Sequence, residues 1–299
     1  YFVATYISLS MSIVLSLDSI ELSHKIKSLR WGILLLAVIG AISPIYTMKF
    51  DRPKSLKPMV DVVGEFKQLG EIGVIAEFWN SYIISCPDPE LIKATPNDQS
   101  VVRNQEIVDM VFERENIYVI KDMWMKTFPD TLEEFGYVLL KADDQFSLGG
   151  CDVCKYKKTK LHKLFSLKNL KHSGSQTVVD SIDGEQKLFV SPNCDSCKER
   201  FIVFGPYIPI GIGEFTVSFN IKANNFKNAN PIAFLDVVAD WGTTELAKTV
   251  INKDYFPIDD YTRIELDFKT SKRYNNIEFR IYYYGNADLH FDQIVLKER

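Results

Sequence analysis

Histidine is scarce, four residues in 299, and His162, His172 and His290 have no second ligand at metal spacing, so no histidine-based metal centre is expected. No Walker loop, no G-x-S-x-G and no H-E-x-x-H occurs. Gly211-Ile-Gly213 has half the pattern of a dinucleotide loop, but a strand-like stretch follows it instead of a helix, so it is a turn. A surplus of basic charge is also missing. The net charge is −4, with +4 on residues 1–57 and −8 on residues 58–299. A nucleic-acid binder carries the opposite bias over its folded part, so nucleic acid is excluded as a partner. Internal repeats are absent, as are low-complexity tracts beyond one lysine-rich strip, and 46% hydrophobic with 25% charged residues excludes disordered and fibrous classes.

What is present begins with two long uncharged runs, Tyr1 to Leu17 and Trp31 to Met48, against the ~20 residues that cross a ~30 Å hydrocarbon core. A signal peptide would explain only one such run, so two transmembrane helices are expected, with Pro44 tolerated because neighbouring groups satisfy the freed carbonyl. The link between them holds Lys25, Lys27 and Arg30, and Lys49, Arg52, Lys54 and Lys57 follow the second. The positive-inside count is therefore nearly a tie. The chain opens on Tyr inside an apolar run, which suggests a fragment or a processed product.

From Pro58 to about Lys158, helical and extended stretches alternate. Met59, Val60, Val62, Val63, Phe66 and Leu69 recur at helical spacing. Short apolar runs at Gly73–Phe78, Leu91–Ala94, Ile117–Ile120 and Tyr137–Leu140 suit buried strands, and Val102–Glu113 and Thr131–Phe135 suit helices. This pattern predicts a small α/β domain. Beyond about Ser175 only strands are expected: Phe215–Ile221 alternates strictly, and Ile232–Val238, Leu246–Ile251, Tyr261–Phe268, Asn276–Tyr284 and Leu289–Leu296 follow. Their spacing indicates an antiparallel β-sandwich of jelly-roll type. The expected fold class is thus α+β multi-domain: two transmembrane helices with basic flanks (1–57), a small α/β domain (58–158) and a sandwich (159–299).

Cys151-Asp-Val-Cys154 and Cys194-Asp-Ser-Cys197 form two C-x-x-C pairs with 39 residues between them, and Cys86 stands alone. Four thiolates so arranged suit a structural Zn²⁺ held at ~2.3 Å, although the gap exceeds the ~15–20 residues of common zinc ribbons. Disulfides are the rival in an oxidising compartment, and unlinked thiols are a third outcome. In every version the expected role is to pin the junction between the α/β layer and the sandwich. Seven lysines between Lys155 and Lys171 could meet anionic head groups, but a solvated strand face is the preferred reading. Sugar rings stack on exposed aromatic faces with polar groups beside them. Trp241, preceded by Asp240 and followed by Gly242 and Thr243, is a candidate platform, with a core cap as the alternative. Tyr283 must point opposite to Tyr282 and Tyr284, since strand side chains alternate, and it joins Trp241 and Asp240 as a candidate carbohydrate contact.

Three stretches taken together carry a resemblance. Ile72-Gly-Val-Ile-Ala76 with Glu77-Phe-Trp-Asn80, then Lys93-Ala-Thr-Pro96 and Arg103-Asn-Gln105, resemble the soluble C-terminal region of multi-pass membrane glycosyltransferases of the GT-C type. Phe204-Gly-Pro-Tyr-Ile-Pro209, Gly213-Glu-Phe-Thr-Val217 and Tyr284-Gly-Asn-Ala-Asp-Leu289 resemble the carbohydrate-binding-like sandwich that often ends those chains. The resemblance implies a membrane protein whose soluble domains are extracytoplasmic (periplasmic), a polyprenyl-phosphate-sugar donor, and partners that include the lipid bilayer and a glycan or lipid-linked sugar. In that family the catalytic carboxylate lies in an early loop that no position here matches, so no catalytic residue is carried over. Two functions follow as expectations: the non-catalytic C-terminal portion of a glycosyltransferase whose sandwich assists acceptor binding, or a stand-alone membrane-anchored module that binds glycan or protein.

Overall fold

The computed structural model describes Gly32, Leu35 and residues 59–97, 104–173, 176–179, 186–192, 199–227, 231–257 and 260–299. The chain forms two compact units, Tyr1–Lys57 and Pro58–Arg299, and all the elements below belong to the second.

The first layer is built from α1 (Met59–Lys67), β1 (Ile72–Ala76), α2 (Phe78–Ser85), β2 (Ile92–Pro96), α3 (Gln105–Glu113) and β3 (Ile117–Ile120). Every residue of β1 and β3 is buried, the mark of parallel strands covered on both faces, and β1 pairs in parallel with both β2 and β3. Glu77 accepts from the Trp79 N–H and starts α2, and Asn104 accepts from the Ile107 N–H and starts α3. The layer continues antiparallel through β4 (Thr131–Glu134), β5 (Tyr137–Lys141), β6 (Phe146–Leu148) and β7 (Cys151–Thr159). The sheet order is β2-β1-β3-β7-β5-β4, with β6 also beside β7. The stretch Thr131–Phe135, expected as a helix, is instead strand β4: Leu132 and Glu134 are buried while Thr131 and Glu133 are exposed, a period of two.

Among the described residues twelve strands form the sandwich: β8 (His162–Ser166), β9 (Lys171–His172), β10 (Gln176–Val179), β11 (Gln186–Val190), β12 (Arg200–Phe204), β13 (Pro206–Ile210), β14 (Gly213–Asn224), β15 (Ala233–Ala239), β16 (Thr244–Ile251), β17 (Thr262–Thr270), β18 (Tyr274–Tyr283) and β19 (Asp288–Glu298). One sheet runs β10-β11-β19-β14-β17 with β8 along β19, and the other runs β16-β15-β18-β12-β9 with β13 along β18. Alternation dictates the packing. Phe215, Val217, Phe219 and Ile221 of β14 meet Ile277, Phe279, Ile281 and Tyr283 of β18 in one core, and each such side chain stabilises the fold by ~1.5–3 kcal/mol.

These observations correct the expected α+β class with membrane-crossing helices. Strands dominate the described residues of 59–299, among which the three α-helices have eight or nine residues and so span only ~14 Å. Among the described residues no helix is long and apolar enough to cross a membrane. The runs Tyr1 to Leu17 and Trp31 to Met48 lie outside the described residues, apart from Gly32 and Leu35.

The layer locks onto the sandwich where two turns meet. The Gly211 N–H donates to the Gly136 carbonyl (3.2 Å), and the Ile212 N–H donates to the Tyr137 hydroxyl (3.0 Å). Gly136 has φ +86°, and a Cβ there would lie 2.6 Å from the Ile210 backbone, so only glycine suits it. The Tyr137 ring stacks on Phe112 of α3 (4.2 Å between centroids). Arg273, in the β17–β18 turn, donates to Gln105 of α3 (2.9 Å) and lies over the Phe135 ring.

Candidate functional site

Trp241 sits at the tip of the β15–β16 hairpin, 76% exposed. Asp240, Trp241 and Gly242 have φ of +52°, +59° and +83°, three successive left-handed residues. The Gly242 N–H donates to the Ala239 carbonyl (3.0 Å), and the Thr243 hydroxyl donates to the Asp240 carbonyl (2.7 Å). The Asp240 carboxylate accepts from the Thr244 hydroxyl (3.1 Å) and its N–H donates to Asn276 (3.0 Å), with Lys272 3.7 Å away. The tip is therefore held from both sides while the indole is left bare.

Tyr207 of β13 meets this indole. It also has a left-handed backbone, φ +64°, and its ring lies 5.7 Å from that of Trp241 at an interplanar angle of 36°. Rings so close cannot hold a sugar between them, so they form one bent surface. The Lys171 ammonium lies 4.9 Å from the Tyr207 centroid, and the Tyr207 hydroxyl is hydrogen-bonded to Glu278.

Behind the rings runs a charged row on the outer face of β18. Arg280 donates to both carboxylate oxygens of Asp236, from Nε (2.9 Å) and Nη2 (2.6 Å), across a direct β15–β18 register pair. Asp236 is buried, and its hydrogen bonds raise the Arg280 pKa further. Burial pushes the Glu278 carboxyl above the ordinary range, opposed by Arg280 and by the Tyr207 hydroxyl. Burial likewise raises the Tyr207 phenol, with Glu278 adding to it. An acceptor at Asp240 and donors at Lys171 and Lys272 thus flank an exposed aromatic surface, while Glu278 is buried beneath it; this is chemistry that can bind and orient a hydroxyl-rich ring.

The structure brings Trp241 and Asp240 together but separates Tyr283 from them. Tyr283 does point opposite to Tyr282 and Tyr284, but toward the core: it is fully buried, and its hydroxyl donates to the Ala287 carbonyl (2.5 Å). Its ring therefore offers no face to a ligand. The outward members Tyr282 and Tyr284 pack with Phe234, whose ring stacks on Tyr282 at 4.8 Å. Tyr207 is a contact that sequence reasoning missed. It lies within the quoted stretch Phe204–Pro209, but a positive φ leaves no mark in residue type when the residue is tyrosine.

Cys151 and Cys154 lie in β7, three residues apart, hence on opposite faces of the sheet. Cys151 packs beside Val153 and Leu148, and Cys154 is buried beside Val119 and Tyr156. A zinc knuckle needs both sulfurs on one side of a tight turn, which this strand geometry does not provide. Burial raises both thiol pKa values. Cys194 and Cys197 lie outside the described residues. Among the described residues no group of three or more His, Cys, Asp or Glu side chains could hold a metal ion. Of the lysine strip, Lys158 donates to the Phe112 carbonyl and Lys163 pairs with Glu133.

No family profile and no curated protein matches the sequence. Among solved structures the chain is similar to a carbohydrate binding module from Cellvibrio mixtus lichenase 5A in complex with cellotriose, at 12% identity and TM-score 0.33 over 46% of this chain and 97% of that one. It is similar to the C-terminal carbohydrate-binding module of a marine laminarinase from Zobellia galactanivorans, at 10% identity and TM-score 0.32 over 46% and 100%. A module from Clostridium stercorarium in complex with cellobiose is similar at 10% identity and TM-score 0.31 over 46% and 94%.

Proposed function

We propose that the sandwich is a glycan-binding module that holds a sugar ring on the Trp241–Tyr207 surface. One observation carries this reading: the two aromatic residues that meet are both in left-handed backbone conformations, and one of them is 76% exposed. Each left-handed non-glycine residue costs ~1–2 kcal/mol, and an indole in water forgoes burial worth ~1.5–3 kcal/mol. The left-handed φ at Asp240 and Trp241 is what the tight hairpin turn requires, but folding gains nothing from the bare indole, whereas a stacked ligand recovers its burial. Asp240 accepts from ring hydroxyls, Lys171 and Lys272 donate to ring and hydroxyl oxygens, and the buried Glu278 holds the Tyr207 hydroxyl in place.

The resemblance to GT-C tails supports a finer context, in which this module presents an acceptor glycan to a membrane glycosyltransferase whose catalytic loop lies elsewhere; the alternative is a stand-alone glycan-binding protein. A blot of the native protein separates them, a band far above 34.3 kDa supporting the transferase and one near it the module. The binding itself is tested by Trp241→Ala on a glycan array. Losing one aromatic stack lowers affinity by roughly tenfold or more, and unchanged capture of the same glycans would rule the platform out.

A further inference from the structure

The strand that carries Tyr207 also walls a cavity on the junction between the layer and the sandwich. This cavity, about 240 Å³, is lined by Gly136, Tyr137 and Val138 of the layer, by Leu161, Ile208 and Pro209 of the sandwich, and by Glu133 and Lys163. Its volume falls below the ~300–1,000 Å³ of pockets that enclose a whole small molecule, which suits one ring of a longer ligand. The lining is mainly apolar with a single ion pair, Lys163 to Glu133, drawn from β8 and β4. An ammonium and a carboxylate side by side donate to and accept from neighbouring hydroxyls, while Tyr137, Pro209 and Val138 supply apolar walls for a ring face.

Tyr207 and Pro209 are two residues apart on the bulged strand β13, so the backbone of the aromatic platform lies at most ~7 Å from that of the cavity wall. Resting on the reading of Trp241 and Tyr207 as a sugar platform, we propose that the cavity is a second subsite of the same glycan site. It takes the next ring of an oligosaccharide, with Lys163 and Glu133 as its polar contacts. The glycan then spans both sheet systems. Recognition depends on the layer as well as the sandwich, and chain length becomes a determinant of affinity.

Calorimetric titration of the protein with the monosaccharides and disaccharides of the cello-, xylo- and malto- series tests this. With two subsites the disaccharide of the bound series binds about tenfold tighter than its monosaccharide, the worth of one well-made set of polar contacts. In Lys163→Met and in Glu133→Gln, both partly exposed side chains, that ratio falls toward one, whereas Trp241→Ala weakens both ligands. A ratio that stays the same in both cavity variants, or a wild-type ratio near one, overturns the subsite and leaves the platform standing. Binding of no oligosaccharide at all overturns the platform and the subsite together.

Discussion

Gly211→Ala tests the junction on which the cavity depends. A Cβ at this position would lie 2.3 Å from both Cε1 and Cζ of Tyr137 and 2.8 Å from Cδ1, against the ~3.5–4.0 Å of ordinary carbon contacts. The ring must therefore shift by more than ~1 Å, and three constraints resist. It is 7% exposed, it stacks on Phe112 at 4.2 Å, and its hydroxyl accepts from the Ile212 N–H at 3.0 Å. Overpacking of this kind costs ~1–3 kcal/mol, loss of the stack ~0.5–1.5 and loss of the hydrogen bond ~0.5–1.5. Because the three share one ring they do not add in full. Gly211 has no left-handed backbone, so Ala regains ~0.4–1 kcal/mol through the unfolded chain. The net expectation is a loss of ~2–3 kcal/mol, measured as a lower urea midpoint at unchanged slope. In a Tyr137→Leu background the same substitution should cost ~1 kcal/mol or less, a coupling that isolates the ring as the obstacle. If Gly211→Ala stays within ~0.5 kcal/mol of wild type in the Tyr137 background, the junction is not packed as described.

Two other substitutions probe the charged row behind the platform. Asp236→Ala leaves the Arg280 guanidinium, whose side chain is 19% exposed, without its bidentate partner, and should cost ~3–5 kcal/mol; a thermal-unfolding loss below ~1 kcal/mol would contradict the ion pair. Glu278 has a folded-state pKa raised above its ordinary 4.5, so the native state binds the proton more tightly than the unfolded chain does. The wild type's stability relative to Glu278→Gln is therefore full below pH 4.5 and falls as pH rises through the raised value. Paired urea titrations across that range check the sign, and an advantage that grows with pH would refute it.

Legibility in the sequence followed the range of the interaction that decides each feature. Phe215 to Ile221 alternates so strictly that β14 could be read directly, because one buried face is enough to dictate a period of two. Ile117–Ile120 was equally clear, a short apolar run covered on both sides. Thr131–Phe135 was misread because its strand form is imposed by pairing with Tyr137–Leu140, and propensity alone does not see a partner. The opposed direction of Tyr283 followed from alternation, but which face met the core depended on packing against β14 of the opposite sheet, which no local pattern reports. For the cysteines, C-x-x-C spacing marks a knuckle only where the backbone turns between them. In β7 it does not, because pairing with β3, β5 and β6 keeps the strand extended. Trp241 was found because a tryptophan between Asp and Gly marks a turn, whereas Tyr207 depends on a backbone conformation that residue type does not report.

The way the platform is supported explains how the sequence keeps a bare indole in a costly conformation. Gly242 follows Trp241 with φ +83°, and a Cβ on it would lie 2.9 Å from Arg280 Nη1, so the hairpin tip rests on the guanidinium. Arg280 is held in turn by both oxygens of Asp236 and lies 4.5 Å over the Phe201 ring. The exposed ring is thereby tied to a buried carboxylate through one planar cation, a geometry that lysine, a single point donor, cannot reproduce. The left-handed residues at 240 and 241 cost ~1–2 kcal/mol each. They persist because the ion pair, the Thr243 and Thr244 hydroxyl bonds and the Asn276 amide over-determine the turn. The result is a preorganised surface: a ligand that stacks on Trp241 does not have to order the loop it meets, and that ordering would otherwise consume part of the binding energy.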